Sequence, residues 1–311
     1  MILCVTLNPC LDKTLDTPAW GLGDNVRGAS TREVVGGKGN NVARALKRLG
    51  REARPATFLG GFVGAQCDRL LRRDDGFDPL VSLTEASTRV ILTVRGEDTP
   101  PTAFFDPDPT IAPAEAADLL HRVEGALTAG GVGAITLSGS SPSKATDELY
   151  SEMIALALAR RIQVFLDTYG PPLDVIWGFW PDLMQLNRRE AGMHLRNPRP
   201  TDADVIGLLR RWWGHGVRVA VVTDGADPVL ALIDGRPYRA MPPELEPVNP
   251  IGSGDCLLAG LVYARLRGLD PQATLRHAVG CATANARVWD AGAIDPETAA
   301  SDAEAVEVEP L

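Results

Sequence analysis

The chain has 311 residues, 45% of them hydrophobic, with 31 basic against 40 acidic side chains and a formal net charge of −9 at pH 7. That balance opposes binding to nucleic acid or to an anionic membrane, since both depend on basic surface, and no apolar run approaches the roughly 20 residues needed to span a bilayer. The five cysteines (Cys4, Cys10, Cys67, Cys256, Cys281) have neither Cys-x-x-Cys pairing nor nearby histidines, which argues against zinc and a disulfide framework, and a strand-like amino terminus without a basic lead makes a cytoplasmic location the expectation.

In chain order, Ile2 to Leu7 reads as a buried strand. Asp12 to Val35 then interrupts any regular alternation, and Asn40 to Leu49 carries Val42, Ala45, Leu46 and Leu49 at helical spacing before a Gly50 stop. A second interruption, Ser87 to Pro107, holds two strand-like runs, Thr88 to Val94 and Thr102 to Phe105, that can pair with the first interruption into a small sheet. From there strands and helices alternate. Strands are predicted at Ala134 to Leu137, Gln163 to Leu166, Asp182 to Leu186 and Arg218 to Thr223. Helices are predicted at Pro113 to Leu127, Asp147 to Arg160, Asp202 to Trp213, Asp255 to Arg267 and Pro271 to Val288. This is the pattern of an α/β fold with a mostly parallel sheet covered on both faces. Ligands of such sheets gather beyond the carboxyl ends of strands, where Asp12, Ser138 to Ser140, Asp167, Asn187 and Thr223 all fall. The acidic end, Ser301 to Leu311, is expected to be loosely held.

Two glycine turns carry the chemistry. Asn249-Pro250-Ile251-Gly252-Ser253-Gly254-Asp255 leads into an apolar helix, so the free N–H groups of Ser253, Gly254 and Asp255 converge at its positive end. Amides that hold charge beside a carboxylate that can accept a proton are what phosphoryl transfer requires. On these residues alone the segment also reads as a Gly-rich turn with Asp255 as an N-cap. In the second turn, Gly36-Gly37-Lys38-Gly39-Asn40-Asn41, glycines admit close approach of a polyhydroxylated ligand, Asn41 offers a donor and an acceptor, and Lys38 supplies a charge. It is not a Walker A loop, because Gly39 follows the lysine.

Together these turns resemble the signatures of the phosphofructokinase-B group of the ribokinase superfamily. Thr6 to Asp12, Thr88-Arg89, Leu137-Ser138-Gly139-Ser140, Leu166-Asp167-Thr168 and Asn187-Arg188-Arg189-Glu190 resemble further elements of that group, so nearly the whole chain is covered. The Leu-Asn-Pro opening and Gly-Gly-Lys-Gly look most like the 1-phosphofructokinase and tagatose-6-phosphate kinase subgroup. The resemblance implies a ribokinase-like three-layer fold over residues 1–311, with segments 12–35 and 87–107 forming a discontinuous β lid that also serves as a homodimer contact.

It further implies transfer of the γ-phosphoryl of ATP, with Mg²⁺, to a hydroxyl of fructose 1-phosphate or tagatose 6-phosphate. On this analogy Asp255 is the general base, and Gly252, Ser253 and Gly254 complete an anion hole. Asp12, Gly37, Asn41 and Arg89 bind the sugar beside Ser138, with Lys38 and Arg27 for its existing phosphate. Asn187 and Glu190 place the Mg²⁺, Glu190 through water, and the nucleotide lies over Thr223 to Gly225 near Ala282 and Asn285. Departures from the group's pattern bear on the nucleotide and on substrate choice. Gln185-Leu186 replaces Lys-Pro ahead of Asn187, Asp224 and Pro228 alter a Gly-x-x-Gly turn, Ser140 to Lys144 lacks Leu-Pro-Pro-Gly, and Phe104 to Asp108 has no arginine or asparagine. A kinase of an unphosphorylated sugar or nucleoside, and a sugar-binding regulatory homologue without turnover, therefore stand beside the leading reading.

Overall fold

A computed structural model describes residues 1–176 and 178–311. The chain opens with β1 (Ile2–Thr6), β2 (Cys10–Thr17), β3 (Ser30–Gly36), α1 (Lys38–Arg48), β4 (Ala53–Gly60), α2 (Gly61–Arg73) and β5 (Leu80–Thr84). It continues through β6 (Arg89–Gly96), β7 (Thr102–Phe105), α3 (Pro113–Ala129), β8 (Ala134–Ser138), α4 (Leu149–Ala159), β9 (Gln163–Asp167), α5 (Pro171–Asp174) and β10 (Leu183–Asn187). The remainder comprises α6 (Arg188–Leu195), α7 (Asp202–Gly214), β11 (Val219–Asp224), β12 (Asp227–Ile233), β13 (Arg236–Met241), α8 (Ser253–Arg267), α9 (Pro271–Ala286), α10 (Pro296–Glu304) and β14 (Glu307–Pro310).

All five residues of β1 are buried, and their alternation explains the layering. Ile2 and Cys4 face one core with Val42 and Leu46 of α1 and Leu257 and Leu261 of α8. Leu3 and Val5 face the other, with Leu119 of α3, Tyr150 of α4 and Trp212 of α7. A strand apolar on both faces belongs inside a sheet covered on both sides, and each such leucine contributes roughly 1.5–3 kcal/mol by leaving water. Among the described residues the large sheet runs β14-β13-β12-β11-β10-β9-β8-β1-β4-β5. The portion from β11 to β5 is parallel, and β12, β13 and β14 add antiparallel strands at one end. Strand order reverses between β1 and β8, so a crevice opens beyond their carboxyl ends. Among the described residues no helix is long and apolar enough to cross a membrane.

The two interruptions build the second sheet, ordered β3-β2-β6-β7. β2 and β3 are antiparallel, with Cys10 opposite Gly36 at one end and Asp16 opposite Ser30 at the other. The sheet is fastened over the crevice by Trp289, whose Nε1–H donates to Thr14 Oγ1 at 2.9 Å, and by an Arg32–Asp290 ion pair.

Several expectations need correction. The acidic end is not loose: α10 packs on α9 through the bidentate Arg287–Asp302 pair, and β14 hydrogen-bonds along β13. Its two anchoring valines, Val306 and Val308, are too few to register as a period among charged neighbours. Ala53 to Arg73 adds a strand and a helix to those expected, β4 and α2; Arg54 and Pro55 mask the strand, and α2 starts at Gly61 without a side-chain cap. Helix α8 begins at Ser253, two residues earlier than expected, because Gly252 adopts φ +86°, a left-handed conformation that glycine tolerates without a Cβ clash.

Candidate active site

The crevice is a cavity of about 350 Å³ enclosed between the rim of the large sheet and the small sheet. Asn8, Gly139, Ser140 and Asp167 enter it from the ends of the central strands, Asp12 and Arg89 from the small sheet, Gly37, Lys38 and Asn41 from α1, and Gly252, Gly254 and Asp255 from the start of α8. Both glycine turns therefore face one space.

Asp255 is 5% exposed, and its Oδ2 accepts a 2.7 Å hydrogen bond from Asn41 Nδ2–H. Burial lifts its carboxyl to about 7, with the Lys38 charge opposing the rise and Asp167 adding to it. A carboxylate that titrates near neutrality is suited to accept a proton at physiological pH. Beside it, the N–H groups of Gly254 and Asp255 have no protein acceptor among the described residues. The Ser253 amide differs from expectation: it donates to Pro250 O at 3.2 Å, and its Oγ accepts from Asn285. Ser253 closes the turn and does not line the cavity.

Lys38 reaches between two carboxylates, Asp167 at 2.9 Å and Glu190 at 3.2 Å. Burial disfavours its ammonium, but the charges of Asp167, Glu190 and Asp255 outweigh that and raise its pKa. Lys38 is thus not the unengaged cation expected for a substrate phosphate; one of its three N–H groups is left for a ligand. Glu190 Oε2 accepts the backbone N–H of Asn187 at 3.0 Å, while Asn187 Oδ1 accepts the backbone N–H of Glu190 at 2.8 Å, a capping box that starts α6 and leaves the side-chain Nδ2–H groups of Asn187 outside that cap. Thr223 lines the same side at the end of β11.

On the opposite wall Arg89 Nη1 pairs with Asp108 at 3.0 Å and its Nη2 donates to Asn8 O at 3.3 Å. Asn8 Nδ2 donates to Asp108 at 2.8 Å and to Ser140 Oγ at 3.2 Å. Asp12 has no side-chain partner among the described residues, and burial, then Asp290, raise its pKa against the pull of Arg44.

Several expected residues are not brought to the cavity. Arg27 is exposed in the loop beyond the Asp16–Ser30 pair, six residues along β2 from the Cys10–Gly36 end that meets the cavity, or roughly 20 Å. Ser138 lies fully buried one residue below the rim formed by Gly139 and Ser140. Gly225 occupies the turn between β11 and β12, Ala282 packs against the core, and Asn285 supports the anion turn by donating to Ile251 O at 2.9 Å. Asn8, Ser140, Asp167, Tyr169 and Gln185 also line the cavity. Ser140 and Asp167 were legible as residues at the strand-end rim, Asn8 only as part of the opening segment, and no site role was expected for Tyr169 or Gln185.

Two of the departing side chains find local partners. Gln185 Nε2 donates to Gly254 O at 2.8 Å, tying β10 to the anion turn. The Asp224 charge lies 2.6 Å from Arg188 Nε, so it is not a free negative group.

The chain is similar to known carbohydrate kinases over nearly its whole length. The family model for pfkB family carbohydrate kinases matches residues 5–298. A 1-phosphofructokinase from Rhodobacter capsulatus is 29% identical over 282 residues, covering 88% of this chain and 87% of that protein. A 1-phosphofructokinase from Bacillus subtilis (strain 168) is 27% identical over 278 residues, covering 89% of this chain and 88% of the relative. The solved structure of a possible 1-phosphofructokinase from Thermotoga maritima superposes with a TM-score of 0.89 at 24% identity, covering 100% of this chain and 99% of that one.

Proposed function

The chain belongs to the pfkB family of carbohydrate kinases, and from that premise we propose that it transfers the γ-phosphoryl of ATP to a hydroxyl of a phosphosugar, fructose 1-phosphate first and tagatose 6-phosphate second. The observation that carries this reading is the meeting of Asn41, Asp255 and the free amides of α8 in one cavity. The names of the curated relatives favour fructose 1-phosphate.

In this reading the sugar lies between Asp12, Gly37 and Asn41, with its phosphate toward Arg89. Asp255 takes the proton of the attacking hydroxyl, and the N–H groups of Gly254 and Asp255 stabilise charge on the transferring oxygens. The remaining N–H of Lys38 would serve the phosphoryl group in transit, while Asn187 and Thr223 would contact the nucleotide. The small sheet excludes water, which competes with the hydroxyl for the phosphoryl group.

The residues present fit a hydrated Mg²⁺. Both Glu190 oxygens already accept protein hydrogen bonds, yet each keeps capacity for a further donor such as a metal-bound water. When bound, the ion neutralises phosphate charge; Glu190 and Asn187 would hold its water shell. Exposed Phe104 and Phe105 on the edge strand β7, with Leu22 on the adjoining loop, support a homodimer contact through the small sheet.

Incubation with ATP, Mg²⁺ and matched pairs of phosphorylated and free sugars, with ADP release followed, tests the assignment. Turnover of fructose 1-phosphate is expected. Turnover of free sugars alone would replace the substrate, and no ADP from any member would favour the regulatory reading.

A further inference from the structure

We propose that Arg44 is a positioning residue for the reaction: its guanidinium fixes the amide of Asn41 with the N–H edge toward Asp255, and ties that amide to the small sheet and to the loop behind the anion turn. The inference rests on the kinase reading above. Arg44 itself does not line the cavity.

Arg44 follows Asn41 by three residues on α1 and is 8% exposed. All five of its N–H groups have acceptors. Nε and Nη2 grip Asp75 at 2.9 and 2.8 Å, Nη2 also reaches Val35 O at 3.0 Å, and Nη1 reaches Ala291 O at 2.8 Å and Asn41 Oδ1 at 3.2 Å. The last bond decides the orientation of Asn41. With Oδ1 held by a guanidinium that can only donate, Nδ2–H is the edge that meets Asp255; the reversed amide would set two acceptors against each other.

The other branches extend the same restraint. Val35 immediately precedes the Gly36-Gly37 turn. Ala291 lines the cavity, and its neighbour Gly292 donates to Asn285 Oδ1 at 2.9 Å, while Asn285 Nδ2 holds the anion turn at Ile251 O. A Cβ at Gly292 would stand 2.7 Å from Asn41 O and 3.2 Å from Arg44 Cβ, so a glycine there lets the loop rest on this part of α1. Asp75 neutralises the guanidinium on the side away from the cavity, which leaves Arg44 an orienting device. A lysine lacks the planar fork needed to serve these acceptors together.

A double-mutant cycle tests this. Arg44→Gln is expected to lower kcat roughly tenfold to a hundredfold, as misplacement of reacting groups does, with the KM for ATP within about twofold. In an Asn41→Ala background the same substitution is expected to cost no more than about threefold, because its route of action is gone. Independent, multiplying losses would overturn the proposal. Arg44→Lys, which keeps the charge should the glutamine variant fold poorly, is expected to lose kcat as well while melting nearer the wild type; wild-type kcat in that variant would also overturn it. Wild-type turnover and its loss in Asp255→Asn examine the kinase reading on their own. Independently of turnover, hydrogen exchange of the Asn41 side-chain amide, slow in the wild type, is expected to become fast in either Arg44 variant, and unchanged protection would refute the restraint.

Discussion

Asn41 and Asp255, separated by 214 residues, are joined by a 2.7 Å hydrogen bond at the point where the helices behind the two glycine turns converge. Asp255→Asn keeps the shape of that junction and removes the proton acceptor. Turnover is expected to fall by about two to four orders of magnitude, the range for loss of a general base, with sugar binding by calorimetry retained. Near-normal turnover would reassign Asp255 to helix capping.

The pH dependence follows from the same carboxyl. Burial pushes the Asp255 carboxyl up to about 7 and it works as a base only when ionised, so kcat/KM is expected to rise with pH through that region. Its contribution to stability runs the other way. A carboxyl raised from 3.8 to about 7 binds more protons folded than unfolded, so stability from this group is present below 3.8 and lost as pH rises to about 7. Asp255→Asn should therefore melt higher than the wild type at pH 8. An acid limb near 4 in the rate profile would contradict the assignment.

Lys38→Met removes the cation that Asp167 and Glu190 share. The acid limb is expected to shift upward, because Lys38 opposes the rise of the Asp255 pKa. Two carboxylates left without their counter-ion should cost about 3 kcal/mol, read from urea unfolding. A variant of unchanged stability that loses only affinity for phosphosugars would restore Lys38 to the role of a dedicated substrate-phosphate partner.

Arg89 is the small-sheet cation that lines the cavity and partly shields its charge against Asp108. Arg89→Ala is expected to raise the KM for fructose 1-phosphate roughly tenfold to a hundredfold, the range for losing a hydrogen bond to a charged group, with a smaller change for the free sugar. Equal changes for both would move the phosphate elsewhere.

Phe105→Asp, on the exposed strand β7, is expected to convert a dimer into a monomer in sedimentation velocity. A wild-type monomer would remove the proposed contact.

The sequence disclosed what local rules govern. Gly37 adopts φ +107° and Gly252 φ +86°, and each precedes an apolar helix, so small residues followed by period announced both turns and the helices behind them. The one-sided rim was legible because polar residues followed each apolar strand. What escaped depends on distant partners. Arg44 reads as one more basic residue on a helix until Asp75 and Ala291 fold against it, and the Ser253 amide looks free until Pro250 turns back toward it. Arg27 shows the converse, a suitable charge stranded by the length of a hairpin.

The closing strand β14 also governs what this molecule avoids. It covers the backbone of β13 from Tyr238 to Met241, and its own outer margin presents Glu307, Glu309 and Pro310. Alternate negative charges and an imino acid make a poor template for a neighbouring chain. The large sheet is thereby blunted against end-to-end growth into fibres on that side.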